Sequence, residues 1–306
     1  MRQRTTRAPW LRAFGGTLVA VTALAGARAN GAMSGQGQVF RTSAHVVPIY
    51  ATVTDTGGAL VPDLARDDFT VNDDGVRQPL TVFSADVQPF SLALMVDRSP
   101  SVFPIADRIQ AAVSAFVARL LPSDRTCLGS FGHVVALTPE LTADPATLLR
   151  HLDDPMPFPA GTAMWDAVDA GRAAVASAGG RRGVLVLTDA ADNSSVVDLD
   201  VLRTALEREG VMLYGVGLQG REAIQARELR AIARATGGWY FELRPTDDLA
   251  AATQRVADEL HRQYLLGFAA QTLDDRTHRV DVTVGRLGLS VRARRSYVAS
   301  SHAELH

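Results

Sequence analysis

Two stretches of the sequence are wholly apolar and end beside a carboxylate, and they constrain the fold more than any other feature. The first, residues 92–96, is followed by Asp97, and the second, residues 184–187, is followed by Thr188 and Asp189. Short apolar runs without alternation are typical of strands that are buried on both faces, as in parallel sheets. Ligands bind such sheets in the crevice beyond the carboxyl ends of the strands. The sequence therefore predicts a parallel sheet with two acidic side chains at its ligand-binding edge.

Hydroxyl groups accompany these carboxylates. Ser99 and Ser101 follow Asp97 at alternate positions, and Thr162 comes directly after a glycine, where a helix is predicted to begin. The first loop offers hard oxygen atoms and no soft ligand, which indicates a magnesium-like cation. We expect the parallel sheet to bring three loops together. The first loop carries Asp97, Ser99 and Ser101, the second carries Thr162, and the third carries Asp189.

Strands and helices alternate between residues 89 and 245. The predicted strands cover 92–96, 126–131, 134–138, 183–188, 211–216 and 239–242, and the predicted helices cover 105–121, 145–152, 163–177, 199–209 and 222–236. This rhythm predicts an α/β fold with a doubly wound, mainly parallel sheet and helices on both faces.

The segments on either side of this region have the alternating pattern of antiparallel strands. On the N-terminal side the strands are predicted at 46–53, 69–72 and 80–83, and on the C-terminal side, after a helix over 246–262, at 263–268, 279–284 and 289–294. We expect both sets to pair into one β-sandwich. The predicted domains are a leader at 1–29, sandwich strands at 39–88, an α/β domain with the metal site at 89–245, and a helix with the remaining sandwich strands at 246–298.

The N-terminus has the pattern of a secretory signal. Four Arg precede an apolar stretch at 13–25, and small residues at 27–29 suit a signal peptidase. We expect an exported chain, periplasmic or extracellular, with no membrane span after cleavage; a retained N-terminal anchor is the alternative.

Composition narrows the range of partners. The formal net charge is −2, and removal of the leader takes away five Arg and no acid, which disfavours nucleic acid as a partner. Cys127 is the single cysteine, so an internal disulfide and a metal cage built from several thiolates are both excluded. It lies in an apolar stretch, and we expect it to be a buried strand residue.

The three loops together resemble the metal-ion-dependent adhesion site of von Willebrand factor type A domains. Asp-x-Ser-x-Ser stands at 97–101, Gly-Thr at 161–162 and Leu-Thr-Asp at 187–189. The flanks resemble the exported bacterial proteins called VWFA-related, through Val-Thr-Asp-Thr-Gly-Gly at 53–58, Leu-Ala-Arg-Asp-Asp-Phe at 64–69, Asp-Asp-Gly-Val-Arg-Gln at 73–78, Gln-Tyr-Leu-Leu-Gly-Phe at 263–268 and Val-Arg-Ala-Arg-Arg-Ser-Tyr at 291–297.

The resemblance implies a metal site and a binding function. Mg²⁺, with Mn²⁺ or Ca²⁺ as alternatives, would be held by the hydroxyls of Ser99, Ser101 and Thr162, and Asp97 and Asp189 would bind it directly or through water. A partner protein would supply an Asp or Glu carboxylate to the open position, so the chain would be an adhesion or scaffold module and not an enzyme. The sequence departs from the type A pattern in two ways that leave the ligands intact: Ala190 stands where glycine is usual, and Pro100 separates the two serines.

Other functions fit the sequence less well. A metal-dependent hydrolase or phosphoryl-transfer enzyme could use Asp97 or Asp189, but Asp-Arg-Ser lacks the second carboxylate of aspartyl phosphatases, and no His-Glu-x-x-His motif is present. A structural assembly module with an inactive metal site is a further alternative. Residues 215–220 match the Gly-x-Gly-x-x-Gly pattern of dinucleotide-binding proteins, but they follow a late strand and not the first one.

Overall fold

The computed structural model describes residues 45–138, 140–153, 161–218 and 224–300, so the predicted leader lies outside the described residues. The strands are β1 (Val46–Thr54), β2 (Phe69–Asp73), β3 (Val76–Gln78), β4 (Val82–Ser84), β5 (Phe90–Asp97), β6 (Arg125–Phe131), β7 (Val135–Leu137), β8 (Arg181–Thr188), β9 (Val211–Gly217), β10 (Tyr240–Glu242), β11 (Tyr264–Ala269), β12 (Thr277–Val284), β13 (Ser290–Arg292) and β14 (Ser296–Val298). The helices are α1 (Ala106–Val117), α2 (Pro145–Asp153), α3 (Met164–Val175), α4 (Leu199–Glu209), α5 (Ile224–Thr236) and α6 (Leu249–His261).

The central sheet has six strands in the order β10-β9-β8-β5-β6-β7. Neighbouring strands run parallel except for β7, which pairs antiparallel with β6 as a hairpin. The chain leaves β5 toward β6 on one side and later returns to β8 on the other side. The strand order therefore reverses between β5 and β8, and their carboxyl ends meet at the switch point, where open α/β sheets bind ligands.

Strand β5 is buried along its whole length because helices cover both faces of the sheet. Its residues Leu92, Leu94 and Val96 contribute to an apolar cluster that also includes residues of α1, α2 and α6. The alternate residues Ala93 and Met95 contribute to a second cluster, with α3, α4 and α5. Side chains alternate between the faces of a strand, so an unbroken apolar run is what a strand between two helical layers requires.

Helix α1 shows how a helical layer is made. Its buried side chains recur at helical spacing, whereas the intervening positions are polar, small or more exposed. These side chains are Ile109, Ala112, Val113, Phe116 and Val117. Helix α6, which the predicted division groups with the C-terminal strands, packs against α1, and the Thr253 hydroxyl donates to the Ala112 carbonyl at 3.0 Å.

Two antiparallel sheets flank the α/β region and share one apolar cluster. Their strand orders are β13-β1-β11-β4 and β14-β12-β2-β3, so each sheet combines strands from both ends of the chain. Near the middle of this cluster, the Tyr264 ring lies 4.9 Å from the Phe69 ring, and its hydroxyl donates to the Val61 carbonyl at 2.7 Å. The predicted fold class, a mainly parallel doubly wound sheet flanked by N- and C-terminal strands, is confirmed.

None of the helices within the described ranges combines the length and the apolar character needed to cross a bilayer. The predicted burial of Cys127 is confirmed, because this strand residue is 1% exposed within the second apolar cluster.

Candidate functional site

Asp97 is the last residue of β5 and is almost completely buried. Its Oδ1 accepts a hydrogen bond from the Ser99 amide at 2.9 Å, and its Oδ2 accepts one from the Thr188 hydroxyl at 2.7 Å. Burial raises the pKa of Asp97 to about 6; hydrogen bonds from Ser99 and Thr188 oppose this rise, and the nearby charge of Asp189 adds to it. The protein thus holds an oriented carboxylate whose negative charge is poorly solvated, which suits a bound cation.

The two serines of the first loop place their hydroxyls side by side. The Oγ atoms of Ser99 and Ser101 are 3.0 Å apart, and Ser99 is buried whereas Ser101 is exposed. An octahedral Mg²⁺ with bonds of about 2.1 Å places neighbouring ligand atoms about 3.0 Å apart. The spacing of the two hydroxyls therefore fits adjacent positions on such an ion, and the exposed side of Ser101 leaves the loop open to solvent.

The loop after β8 carries an alanine in the left-handed conformation at the position where type A domains usually have glycine. Ala190 is buried and adopts the left-handed conformation, with φ of 60°. Its amide donates to the Thr188 hydroxyl at 3.0 Å, and the Ala191 amide donates to Asp189 Oδ1 at 3.1 Å. A left-handed alanine carries some steric strain, and these hydrogen bonds help to hold it there.

Thr162 lies buried between the loops that follow β6 and β8. Its amide donates to Asn193 Oδ1 at 2.9 Å, and its carbonyl accepts from the amides of Asn193 and Ser194 at 3.0 and 3.1 Å. The next amide, of Ala163, donates to the Gly132 carbonyl at 2.7 Å. Helix α3 begins at Met164, one residue later than the predicted start at residue 163.

The glycine of the Gly-Thr motif has a steric role. Gly161 has φ of 141°, and a Cβ at this position would lie 2.5 Å from Ser194 Oγ and 3.0 Å from His133 Nδ1. A side chain here would force these neighbouring side chains, or the backbone that carries Thr162, to shift. The motif therefore needs glycine for close packing against the loop after β8 and the turn between β6 and β7, as well as for its backbone conformation.

The structure brings the predicted site residues to one edge of the central sheet. Asp97 and Ser99 are joined by a hydrogen bond, Ser101 is in contact with Ser99, and Asp189 is close enough to affect the pKa of Asp97. Thr162 is joined through its backbone to the loop that carries Asp189. Their role as metal ligands remains a prediction.

Two residues that matter for this geometry were not among the predicted site residues. Thr188 orients Asp97, and the signal for it is a hydroxyl at the end of an apolar strand, next to a carboxylate. Asp192 accepts from the Met164 amide at 2.9 Å and from the Ser195 hydroxyl at 2.5 Å, while Ser195 Oγ accepts from the Trp165 amide at 3.0 Å. The loop after β8 therefore caps α3, whose own N-cap residue, Ala163, has no side-chain oxygen.

The glycines at the end of β9 accommodate a neighbouring aromatic ring. A Cβ on Gly215 would lie 2.8 Å from the Tyr240 ring, and one on Gly217 would clash with the Tyr240 hydroxyl. Gln219 and Gly220 of the Gly-x-Gly-x-x-Gly pattern lie outside the described residues. Packing against β10 thus accounts for the first two glycines without a bound dinucleotide.

Comparison with solved structures relates this fold to von Willebrand factor type A domains. The chain is similar to a von Willebrand factor type A structure from Catenulispora acidiphila, with 12% identity and a TM-score of 0.51, over 86% of this chain and 76% of that one. It is also similar to proximal thread matrix protein 1 from the mussel byssus, with 19% identity and a TM-score of 0.50, over 60% of this chain and 49% of that one. A third similar structure is BatB from Bacteroides thetaiotaomicron, with 15% identity and a TM-score of 0.46, over 56% of this chain and 97% of that one.

No family model and no curated protein sequence matches the chain. At these identities the structural similarity shows the fold alone. The predicted resemblance is confirmed at that level: the central sheet and its helices form a von Willebrand factor type A fold.

Proposed function

We propose that this chain is an exported protein-binding module whose adhesion-type Mg²⁺ site accepts a carboxylate from a partner protein. The observation that carries the proposal is the pair of serine hydroxyls, 3.0 Å apart, beside the buried and oriented carboxylate of Asp97 at the switch point of the sheet. Hydroxyls and carboxylates are the hard ligands that Mg²⁺ prefers, with Mn²⁺ and Ca²⁺ as substitutes.

Each residue has a distinct part in this proposal. Ser99, Ser101 and Thr162 would hold the ion through neutral hydroxyls, with Asp97 and Asp189 bound directly or through water. The ion, when bound, supplies an electrophilic position at which a carboxylate oxygen can coordinate. Neutral hydroxyl ligands leave more of the ion's charge for that carboxylate than additional acidic ligands would.

The same geometry argues against the phosphatase alternative. The position two residues after Asp97, where an aspartyl phosphatase carries its second carboxylate, is taken by Ser99, whose hydroxyl lies against that of Ser101. We therefore propose a binding role without enzymatic activity, at the periplasmic or extracellular location that the predicted leader implies.

A capture experiment tests the proposal. The purified chain is immobilised and exposed to envelope and secreted proteins in Mg²⁺ or in excess chelator, and the retained proteins are identified. We expect a retained protein that is lost with chelator and with the double substitution Ser99→Ala and Ser101→Ala. Ser114→Ala, on the outer part of α1, is the matched control and should retain it. Retention that persists in chelator or in the double variant would contradict the proposal.

A further inference from the structure

A second group of potential metal ligands lies in the sandwich. Asp73 and Asp74 stand at the end of β2 and in the turn after it, and His278 is near the start of β12. The His278 Nδ1 atom lies 3.5 Å from Asp73 Oδ1 and 3.0 Å from Asp74 Oδ2. One ligand atom from each residue lies within 4.8 Å of the other two, which is the spacing of ligands that share one ion.

The hairpin and the strand register place these groups. Asp74 and Gly75 both have positive φ, 46° and 82°, as the two-residue turn between β2 and β3 requires. Strand β12 pairs with β2 so that Val280 lies opposite Asp73. His278 is therefore on the same side of β12 as Val280 and lies just beyond the end of the β2 ladder.

The second polar atom of each side chain is engaged elsewhere. Asp73 Oδ2 accepts from the Tyr297 hydroxyl at 3.0 Å, and Asp74 Oδ1 accepts from the amide of residue 279 at 2.8 Å. His278 Nε2 lies 3.1 Å from Asp274 Oδ1. A histidine held by a carboxylate at one nitrogen presents the other nitrogen in a fixed direction, which is the arrangement around many protein metal ions.

One atom of the cluster lacks a hydrogen-bond donor. The Asp73 side chain is 9% exposed, and across the described parts of the chain its buried Oδ1 has no hydrogen-bond partner. A buried carboxylate oxygen without a partner is costly and uncommon in native proteins. This oxygen points toward His278 Nδ1, at the place where the three side chains converge.

We propose that Asp73, Asp74 and His278 bind a divalent transition-metal ion of the Zn²⁺ class at the β2–β3 hairpin. Imidazole with two carboxylates suits Zn²⁺, whereas Mg²⁺ favours oxygen ligands alone. The Asp74 side chain is 57% exposed, so solvent reaches the site and can supply further ligands. The ion would fasten an N-terminal hairpin to a C-terminal strand, a role separate from the partner-binding function proposed for the central sheet.

Zn²⁺ titration calorimetry on the full chain, with Mg²⁺ in excess, tests this site. We expect one equivalent of Zn²⁺ to bind, with affinity at least tenfold lower after His278→Gln and after Asp74→Asn. His261→Gln is the matched control, because His261 Nε2 also lies 2.8 Å from a carboxylate, that of Asp124, but among the described residues it belongs to no group of three possible metal ligands. Asp97→Ala is the second control, since it removes a predicted Mg²⁺ ligand. Both controls should keep the wild-type Zn²⁺ affinity.

The proposal is wrong if wild-type protein binds no Zn²⁺ under these conditions, or if His278→Gln binds it as wild type does. Asp274→Asn keeps all three ligands and loses only the contact to His278 Nε2. Asp274→Asn should weaken Zn²⁺ binding by about 10–100-fold. This variant therefore tests the site even if His278→Gln does not fold. Unchanged affinity in Asp274→Asn would likewise contradict the proposed arrangement.

Discussion

The central sheet and the sandwich place polar groups in different ways. In β5 every residue is buried, so its functional groups lie where the strand ends, and loops distant in the sequence meet there. In β12 buried and exposed residues alternate, and His278 lies on the strand itself, opposite a hairpin about two hundred residues earlier. A parallel sheet buried on both faces assembles a site from loops, whereas an antiparallel pair assembles one through its register.

The chemistry of the two clusters differs accordingly. At the central sheet the groups are hydroxyls and carboxylates, and backbone amides and Thr188 orient them. At the sandwich an imidazole joins two carboxylates, and neighbouring side chains and an amide orient them. The first set favours a hard ion and the second a transition metal.

The largest expected effect tests the difference in burial. Leu94→Ala and Met95→Ala, at consecutive positions of β5, should each lower the free energy of unfolding by about 2–5 kcal/mol, because both side chains are completely buried on opposite faces. In β12, Val280→Ala should cost about 1–2 kcal/mol, and its exposed neighbour Asp281→Ala should change the value by less than about 0.5 kcal/mol. Urea unfolding measures all four. If Met95→Ala were as stable as Asp281→Ala, the claim that β5 is buried on both faces and β12 on only one would be wrong.

The next effect concerns the meeting of the three loops. Gly161→Ala should destabilise the protein by about 1–3 kcal/mol, because its φ of 141° and its contacts exclude a Cβ. It should also weaken Mg²⁺ binding by displacing Thr162. Gly179→Ala is the control, since nothing lies within 4 Å of a Cβ there. Thermal unfolding with and without Mg²⁺ distinguishes them, and equal behaviour of both variants would show that Gly161 has no steric role.

A smaller effect separates helix capping from site geometry. Asp198 caps α4 by accepting from the Asp200 and Val201 amides, and Asp192 caps α3 from another loop. Replacement of either by Ala should cost about 1 kcal/mol of stability. Only Asp192→Ala should also weaken Mg²⁺ binding, because α3 begins beside Thr162. Urea unfolding and Mg²⁺ titration of both variants test this prediction. Equal Mg²⁺ affinities of Asp192→Ala and Asp198→Ala would show that Asp192 does not contribute to Mg²⁺ binding.

The last prediction involves reactivity without a change in stability. Burial raises the pKa of Cys127 to about 11, so at pH 8 only about one thiol in a thousand is ionised, and that thiol is shielded within the sheet. A thiol reagent should label Cys127 only after unfolding in urea. Rapid labelling of the native protein at pH 8 would show that the sheet opens at β6.

Much of the fold could be predicted because strong local patterns coincide with it. The apolar runs of β5 and β8 mark strands buried on both faces, and the alternating pattern of residues 69–72 marks β2. Strands β3 and β14 were not predicted, because three residues carry no clear period and the places of these strands depend on pairing with β2 and β12.

The candidate sites could be predicted less completely. The type A motifs indicate Asp97, Ser99, Ser101, Thr162 and Asp189 from the sequence. Thr188 has a local signal, a hydroxyl between an apolar strand and a carboxylate, but its contact with Asp97 depends on the pairing of β5 with β8. The role of Asp192 depends on how its loop meets α3, which no local pattern encodes. His278 has its acidic neighbours Asp73 and Asp74 about two hundred positions away, so only the register of the sheet reveals that cluster.

Mg²⁺ titration calorimetry of the wild-type chain and of Asp97→Ala tests the central claim most directly. Burial opposes the charge of Asp97, so its removal should leave a folded protein, which circular dichroism can confirm. We expect one Mg²⁺ to bind to the wild type, to Asp198→Ala and to His278→Gln, and none to Asp97→Ala at the same concentrations. Asp97→Ala binding Mg²⁺ with wild-type affinity would contradict the account.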